Sequence, residues 1–312
     1  MIWISWEDHR RSTSIAGLLG VPLVVLKSRR HRILKHPIFV LKTLGILLKR
    51  RPRVLIIQSP SIFLNLLAVL IKPLFGFRLV VDAHNGGVYS CESLSDRIEW
   101  LYPFLHKRAE VTIVTNGVLE KLVKKNGGIP RVLVDPMPPL EAGDTGLRSR
   151  EFTFICTFAA DEPFLEVIDS ARLLPPDVTI HVTGNVDAHR HLLPEDVPSN
   201  IHFTGFLPEA EFVDLLASSE AVIDLTTWPD CLVCGGYESM ALGTPLILSD
   251  SPVNRQTFVG GVLYCDNTAS GIAEAVKEVL VTGATLRAKV RDGQRHLQDT
   301  FDRQLAGVDW RR

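Results

Sequence analysis

The sequence predicts an α/β fold made of two doubly wound parallel sheets. Short apolar runs rich in Val, Ile and Leu alternate with helical patterns along the chain of 312 residues. Runs without polar alternation are typical of parallel strands that are buried on both faces. A segment with three prolines and two glycines, residues 135–151, interrupts the rhythm near the middle. We therefore expect two Rossmann-like domains joined by a linker, with ligands at the carboxyl ends of the strands.

The strand candidates divide evenly between the two halves. Those of the first half are residues 2–6, 22–26, 53–58, 78–83, 110–115 and 131–135. Those of the second half are residues 152–158, 178–184, 200–205, 221–226, 245–250 and 261–265. We place the first domain at 1–140, the second at 141–290, and a polar helical tail at 291–312.

Composition indicates an ordinary globular protein. Hydrophobic residues make up 46% of the chain and charged residues 22%, which argues against a disordered or fibrous protein. The five cysteines are scattered and odd in number, and the sequence shows no signal peptide. This pattern favours a reducing compartment without a disulfide framework, so we expect a cytoplasmic protein.

Positive charge is concentrated at the start of the chain. Residues 1–53 hold twelve Lys and Arg against two acids, whereas the whole chain has a net charge of −1. Apolar and basic residues interleave between Lys27 and Arg53, which is typical of a helix on a membrane surface or of a helix packed on a sheet with a basic outer face. Residues 62–77 are apolar but too short and interrupted to span a bilayer. Aromatic residues are too sparse here to favour nucleic-acid binding.

The segment from Asp230 to Asp250 carries the clearest chemical pattern. Asp230 and Glu238 stand on either side of Gly235 and Gly236, and a helical pattern follows. A carboxylate at a helix start can accept hydrogen bonds from a ribose diol, and glycine amides there suit a diphosphate. Asp230 can accept hydrogen bonds from sugar hydroxyls. The alternative is that both acids only cap the helix.

Other common nucleotide and metal motifs are missing. No G-x-G-x-x-G and no P-loop follows a strand, which removes the usual support for a dinucleotide oxidoreductase or an NTPase. Cys231 and Cys234 form a C-x-x-C, but no second pair has zinc spacing. We therefore predict no metal site and no cofactor.

Residues 152–266 together resemble the catalytic domain of GT-B glycosyltransferases. The segments "VTIHVTGN", residues 197–225 and the D-x7-E pattern at 230–238 are similar to the mostly retaining group with an E-x7-E signature, which includes phosphatidylinositol mannosyltransferases. The resemblance implies two domains facing a central cleft, a tail helix that crosses back to the first domain, and metal-independent transfer. It implies that the donor-binding residues are Glu238, Gly235, Gly236, Cys234, Thr157, Gly184 and Tyr237.

The chain departs from this group at two places. Asp230 stands where the group usually has Glu. The Arg and Lys pair that usually neutralises the donor diphosphate is absent from "TFAADEPFLEVIDSA", residues 157–171. Residues 156–164 and 56–85 instead resemble membrane-bound mannosyltransferases that build lipid-linked oligosaccharides, which are inverting enzymes. This second resemblance implies a lipid-linked acceptor.

Candidate residues for the reacting end of the acceptor lie in the first half. His84 closes a strand candidate before Gly86 and Gly87, at the turn where many GT-B enzymes place an active-site histidine. An imidazole can act there as a base or hydrogen-bonding group. The catalytic candidates are His84, Asp82 and Asp230. The acceptor-binding candidates are Arg11, His9, Asn85 and Gly86.

The sequence therefore predicts a hexosyltransferase-type glycosyltransferase. We expect a nucleoside diphosphate sugar as the donor and a lipid-linked or polysaccharide intermediate as the acceptor. The expected location is the inner face of the membrane, where the basic first domain contacts the lipid surface, and no nucleic-acid partner is expected. Two alternatives remain open: a non-catalytic scaffold that retains the GT-B shape, and a GT-B sugar-nucleotide epimerase.

Overall fold

The computed structural model describes residues 1–28, 32–59, 62–89 and 99–310. They form two compact units, the first of Met1–Pro136 with Thr300–Arg312 and the second of Met137–Asp299. Cys91, one of the five cysteines, lies outside the described residues, as do Arg29 and Arg30 of the basic segment. The division between the units falls within the Pro-rich segment, and residues 291–299 belong to the second unit.

The first unit contains a parallel sheet of six strands in the order β2-β1-β3-β4-β5-β6. The strands are β1 (Ile2–Ser5), β2 (Leu23–Val25), β3 (Val54–Ser59), β4 (Arg78–Ala83), β5 (Val111–Val114) and β6 (Pro130–Val132). Every strand overlaps a run predicted from the sequence. The central strands are buried along their whole length, which explains why their sequences lack polar alternation.

Helices cover both faces of this sheet. They are α1 (Arg10–Leu19), α2 (Arg32–Arg50), α3 (Ile62–Phe75), α4 (Asn85–Val88), α5 (Leu101–His106) and α6 (Gly117–Lys125). On one face, Phe39 and Leu47 of α2 pack with Leu64 of α3 against Ile57. On the other face, Ile15 of α1 and the terminal Trp310 pack against Trp3 and Ile56.

The second unit repeats the plan with the order β12-β11-β10-β7-β8-β9. Its strands are also parallel: β7 (Arg148–Phe154), β8 (Thr179–Thr183), β9 (Ile201–Gly205), β10 (Ser219–Asp224), β11 (Leu246–Ser249) and β12 (Val262–Cys265). The helices are α7 (Phe164–Ala171), α8 (Val186–His189), α9 (Glu209–Ser218), α10 (Cys234–Leu242), α11 (Pro252–Thr257) and α12 (Ala269–Ala306). The predicted α/β class and the two Rossmann-like sheets are confirmed.

The strand orders locate a ligand crevice in each sheet. In the first sheet the chain leaves β1 for β2 on one side and returns to β3 on the other side. In the second sheet the same reversal occurs between β7 and β10. Ligands of open parallel sheets bind outside the carboxyl ends of the strands at such reversals. These two edges therefore define where each unit can hold a ligand.

Helix α3 is apolar but short. It comprises 14 residues and is interrupted by Pro73. Within the described ranges, none of the helices has the length and apolar content required to cross a membrane.

Replacing Trp310 tests the packing of the chain end on the first sheet. Trp310 is buried and its ring centroid lies 6.4 Å from that of Trp3. We expect Trp310→Ala to lower the free energy of unfolding by about 3 kcal/mol, since the truncation leaves a cavity in the core. Urea unfolding followed by circular dichroism measures the change. Leu18→Ala, at an exposed position of α1, is the control. A loss of unfolding free energy below about 1 kcal/mol for Trp310→Ala would contradict this packing.

Candidate functional site

Arg11 links three parts of the carboxyl edge of the first sheet. It lies in the first turn of α1 and points inward, with a side chain only 1% exposed. Its Nε donates to both carboxylate oxygens of Asp82 at 2.9 and 3.2 Å, and its Nη1 donates to Asp135. Burial opposes the charged guanidinium, but the two carboxylates outweigh burial and raise the pKa of Arg11. Arg11 and Asp82 are thus engaged with each other inside the unit.

His84 lies beside this ion pair at the end of β4. Its ring stacks at an angle on His9, with centroids 4.4 Å apart. The ring keeps part of its surface exposed, yet Nε2 is buried and has no hydrogen-bond partner among the described residues. Burial lowers the pKa of His84 to about 4, with Asp82 and Asp135 opposing the shift and Arg11 and His9 adding to it. The imidazole is therefore neutral at pH 7.

The turn after His84 is held by internal contacts. The Asn85 side-chain amide donates to the Tyr89 hydroxyl at 3.1 Å, and the Gly86 carbonyl accepts from Tyr102 at 3.1 Å. A Cβ atom on Gly87 would lie 2.7 Å from the Ser59 carbonyl, so glycine is required there. His9, in turn, caps α1 through Nδ1, which accepts from the Arg11 amide. Of the predicted acceptor residues, His9 and Arg11 converge on His84, and Asn85 and Gly86 follow it.

Asp224 dominates the carboxyl edge of the second sheet, and the sequence analysis did not select it. It is buried at the end of β10, and its carboxylate accepts from the amides of Gly235 and Gly236 in the first turn of α10. A Cβ on Gly235 would lie 2.4 Å from an Asp224 oxygen, and one on Gly236 would lie 2.7 Å from the ring of Phe258. The two glycines therefore permit close internal packing, and their amides already have an acceptor in this structure.

Glu162 occupies the loop from which the expected basic pair is missing. It accepts from the Thr157 amide at 2.8 Å, the Thr157 hydroxyl at 2.8 Å and the Ala159 amide at 3.1 Å. The Cys156 thiol adds a contact at 3.4 Å. These donors organise the loop after β7 around a carboxylate. Thr157 is exposed, but its amide and hydroxyl both donate to Glu162 and so help to hold the loop in place.

Three acidic residues meet at this edge. Burial raises the pKa of Asp224 well above its ordinary value, and the charges of Glu162 and Glu238 raise it further. The amides of Gly235 and Gly236 counteract only part of this shift. The protonated form of Asp224 is therefore favoured in the folded protein. A nearby aspartate, Asp161, accepts from Thr226 at 2.7 Å and joins the loops after β7 and β10.

The remaining donor candidates differ in exposure. The prediction that Glu238 stands at a helix start is wrong, because α10 begins at Cys234 and Glu238 is buried four residues further along. Asp230 is half-buried in the turn before α10, and Cys234 is exposed. Tyr237 packs edge-on against Phe258 at 4.9 Å, inside an apolar cluster. Gly184 has a φ of 95°, and a Cβ there would lie 2.3 Å from the Cys156 carbonyl. Tyr237 and Gly184 thus have internal packing roles at the edge where a donor would bind.

The residues that sequence reasoning missed are polar side chains at strand ends. Asp224 and Gln58 each follow an apolar run near the end of a strand, and Asp135 stands at the start of the predicted linker. A polar residue that ends an apolar run was the available signal for the first two. Nothing local marks Asp135, because its partner Arg11 lies 124 positions earlier in the chain.

The possible metal ligands and the cysteines can be located within the described ranges. Within them, no three His, Cys, Asp or Glu side chains are grouped to hold a metal ion. The described cysteines, Cys156, Cys231, Cys234 and Cys265, are not disulfide-bonded. Burial raises the pKa of Cys265 to about 12 and also raises that of Cys156, so neither is a ready nucleophile at neutral pH.

Comparison with known proteins extends the fold assignment. No family model matches the chain. A stretch of 106 residues is 24% identical to "Putative glycosyltransferase YtcC" of Bacillus subtilis (strain 168). The match covers 33% of this chain and spans about a quarter, 26%, of that protein's length.

Solved structures match over nearly the whole chain. Anabaena Alr3699/HepE in complex with UDP and glucose superposes with a TM-score of 0.71 at 12% identity, covering 98% of this chain and 90% of that one. Sucrose-phosphate synthase from Thermosynechococcus elongatus gives 0.68 at 15% identity, covering 90% and 79%. A glycosyltransferase from Rickettsia africae ESF-5 gives 0.67 at 11%, covering 97% and 87%. Likeness at such low identity shows the fold, which is GT-B.

Replacing Asp224 with Asn tests the acidic cluster of the second unit. A raised carboxyl pKa contributes stability at low pH that is lost as the pH rises through the folded-state pKa. Asn cannot ionise, so we expect Asp224→Asn to exceed the wild type at pH 8 by about 1 kcal/mol, or roughly 2–4 °C in Tm, and by less at pH 5.

Thermal unfolding at the two pH values measures this difference. Asp299→Asn, at an exposed position of α12, is the control and should leave the pH dependence of the unfolding temperature unchanged. A variant that is less stable than the wild type by the same amount at both pH values would show that Asp224 acts as an ionised helix cap.

Proposed function

We propose that this protein transfers a sugar from a nucleoside diphosphate sugar to an acceptor hydroxyl. The observation that carries the proposal is the position of Glu238, which is buried in α10 beside the reversal point of the second sheet. This sheet belongs to a fold shared with a protein solved with UDP and glucose. A carboxylate at the crevice of a parallel sheet can accept hydrogen bonds from a ribose diol.

The donor would lie along the carboxyl edge of the second unit. Glu238 would accept from the ribose hydroxyls, and the half-buried Asp230 would accept from hydroxyls of the sugar. The raised pKa of Asp224 is compatible with a diphosphate nearby, since a neutral carboxyl repels phosphate less than a carboxylate does. UDP is the first nucleotide to try, because proteins of similar fold were solved with it.

His84 is the better candidate to contact the reacting hydroxyl in the first unit. Asp82 is committed to Arg11 by two short hydrogen bonds, whereas Nε2 of His84 lacks a partner within the described part of the chain. A pKa of about 4 makes the imidazole a weak base. Its proposed role is therefore to accept a hydrogen bond from the hydroxyl and orient it.

A non-catalytic binding protein is the second candidate. It is favoured by the pairing of the Gly235 and Gly236 amides with Asp224, which removes the donors expected to hold a diphosphate. The absence of Lys and Arg from residues 155–163 points the same way. Such a protein would bind nucleotide sugars weakly or not at all.

The finer parts of the proposal follow from the resemblances. We propose hexosyl transfer without a divalent metal or other cofactor, in polysaccharide or lipid-linked glycan synthesis. The similarity to the E-x7-E group suggests a phosphatidylinositol mannosyltransferase-like donor site, and the similarity to lipid-linked mannosyltransferases suggests an acceptor held at the inner membrane face.

Helices α2 and α3 carry the proposed membrane surface. They contact each other on one face of the first sheet. Leucines on each helix point outward, with Leu41 69% exposed, Leu48 62% and Leu74 82%. Exposed Lys42 and Lys49 stand next to the two α2 leucines. An apolar stripe with adjacent lysines fits an anionic bilayer, where each lysine adds roughly 1 kcal/mol.

Thermal stability with nucleotide sugars tests the donor site. UDP-, GDP- and dTDP-sugars are added to the full chain with and without EDTA. We expect one donor to raise the unfolding free energy by about 2.7 kcal/mol at a hundredfold excess over Kd, and EDTA to leave the response unchanged. Glu238→Ala should abolish the response. Glu274→Ala on exposed α12 is the matched control and should retain it.

Each outcome of this measurement decides between the two candidates. A response that Glu238→Ala removes and Glu274→Ala keeps supports the transferase. If no nucleotide sugar stabilises the wild type, the proposed donor site is wrong and the non-catalytic candidate takes its place.

Vesicle flotation tests the membrane surface. Wild type should float with vesicles containing 30% phosphatidylglycerol and not with pure phosphatidylcholine vesicles. The triple variant Leu41→Ser, Leu48→Ser, Leu74→Ser should bind at least tenfold more weakly, because it loses three exposed apolar side chains that would otherwise insert into the bilayer. Leu173→Ser with Val281→Ser, both exposed in the second unit, is the control. Equal binding of the triple variant and the wild type would rule out this surface.

A further inference from the structure

Buried polar atoms without partners cluster at the carboxyl edge of the first sheet. Among the described residues, no partner exists for Nη2 of Arg11, Nε2 of Gln58 or Nε2 of His84. Arg11 and Gln58 are 2% and 1% exposed. Unsatisfied buried polar groups are costly and therefore uncommon in native proteins, and several together call for an explanation. A ligand that supplies the missing partners is such an explanation.

The sheet register brings these residues to one place. Gln58, the residue before the last of β3, lies directly opposite Asp82 of β4. Asp82 accepts from Arg11, and His84 follows two positions later. The Ser5 hydroxyl at the end of β1 lies within hydrogen-bond distance of both the Glu7 carbonyl and Oε1 of Gln58, and Nε2 of Gln58 has no partner among the described residues. Ser5 and Gln58 stand on the two sides of the reversal point between β1 and β3.

The charges around this place sum to a negative value. Arg11 carries one positive charge, whereas Asp82 and Asp135 carry one negative charge each. Both carboxylates are already paired with the same guanidinium. Burial keeps His84 neutral at pH 7, since its pKa lies at about 4. One excess negative charge in a buried setting disfavours an anionic group.

The hydrogen-bonding capacity fits hydroxyl groups. The N–H groups of Arg11 and Gln58 that have no partner can donate hydrogen bonds to a hydroxyl oxygen. An imidazole nitrogen of His84 can accept a hydrogen bond from the same hydroxyl. A hydroxyl both donates and accepts, so a polyhydroxylated group can satisfy all three atoms. A phosphate oxygen can only accept at neutral pH and would add charge to an already negative site.

We propose that this edge of the first sheet, which we call the Gln58 crevice (Ser5, Arg11, Gln58, Asp82, His84), binds the neutral terminal sugar of a glycan acceptor and discriminates against an acceptor that presents a phosphate. The assignment of this sugar as an acceptor rests on the proposed function. The sequence predicts that Arg11 binds an acceptor. In the structure, Arg11 has two carboxylate partners, and only Nη2 remains for a ligand.

Ligand-observed NMR on the full chain tests the crevice. The probes are methyl glycosides of glucose, galactose, mannose and N-acetylglucosamine, with hexyl phosphate as the anionic probe. We expect at least one glycoside to bind more tightly than hexyl phosphate. Gln58→Leu should weaken that glycoside at least tenfold, since it removes the donor and keeps the volume. Binding of hexyl phosphate in preference to all glycosides, or no glycoside binding, would overturn the proposal.

A second variant tests the charge argument without disturbing the core. Asp135 is 16% exposed, and Asp135→Asn keeps its shape while removing the excess negative charge. We expect this variant to bind hexyl phosphate at least fivefold more tightly than the wild type and to bind the glycoside within twofold. An unchanged affinity for hexyl phosphate would contradict the role assigned to charge. Thermal unfolding of both variants checks that they are folded.

Nucleotide-sugar stabilisation of the wild type is measured on the same preparation. A chain that responds to a nucleotide sugar and binds no glycoside disproves the Gln58 crevice and leaves the proposed function standing. If the chain binds a glycoside through Gln58 but responds to no nucleotide sugar, the Gln58 crevice stands as a sugar site and the proposed function is disproved.

Discussion

The buried pairing of Arg11 with Asp82 and Asp135 holds the carboxyl edge of the first sheet in its arrangement. Arg11 comes from α1, Asp82 from β4, and Asp135 from the segment after β6, so one guanidinium joins elements that are distant in sequence. Removing one member of a buried pair leaves an uncompensated charge, which typically costs about 3–5 kcal/mol. His84 lies beside this pairing at the end of β4. Burial lowers the pKa of His84 and keeps the imidazole neutral, although the charges of Asp82 and Asp135 oppose this shift.

The carboxyl edge of the second unit is arranged around acidic residues. Three acids, Glu162, Asp224 and Glu238, lie within electrostatic reach of one another at the carboxyl edge. Backbone amides and a hydroxyl satisfy their oxygens: Gly235 and Gly236 donate to Asp224, and residues 157 and 159 donate to Glu162. Hydrogen bonds from amides compensate less charge than an arginine does, so the cluster favours a protonated Asp224. The two edges therefore share a topology and differ in electrostatics.

This difference bears on the proposed reaction. A donor diphosphate would enter an edge where acids replace the expected basic pair, and an acceptor would meet an edge where one arginine is outnumbered by two aspartates. In the proposal, the edge of the first sheet favours hydroxyl groups over anions, and the neutral Asp224 reduces the repulsion of a donor diphosphate at the edge of the second sheet.

Among the described residues, the sequence by itself determined the strands, their parallel class and the plan of two sheets, because burial on both faces leaves a local signature of continuous apolar runs. It also located Asp230 in a turn and His84 at a strand end. Only the tertiary structure decided which charged groups and backbone amides already have partners within the protein. The pairing of Arg11 with Asp135 joins residues 124 positions apart, and the capture of the Gly235 and Gly236 amides by Asp224 depends on the packing of α10 on β10. Such pairings follow from three-dimensional proximity, which leaves no pattern in the neighbouring sequence.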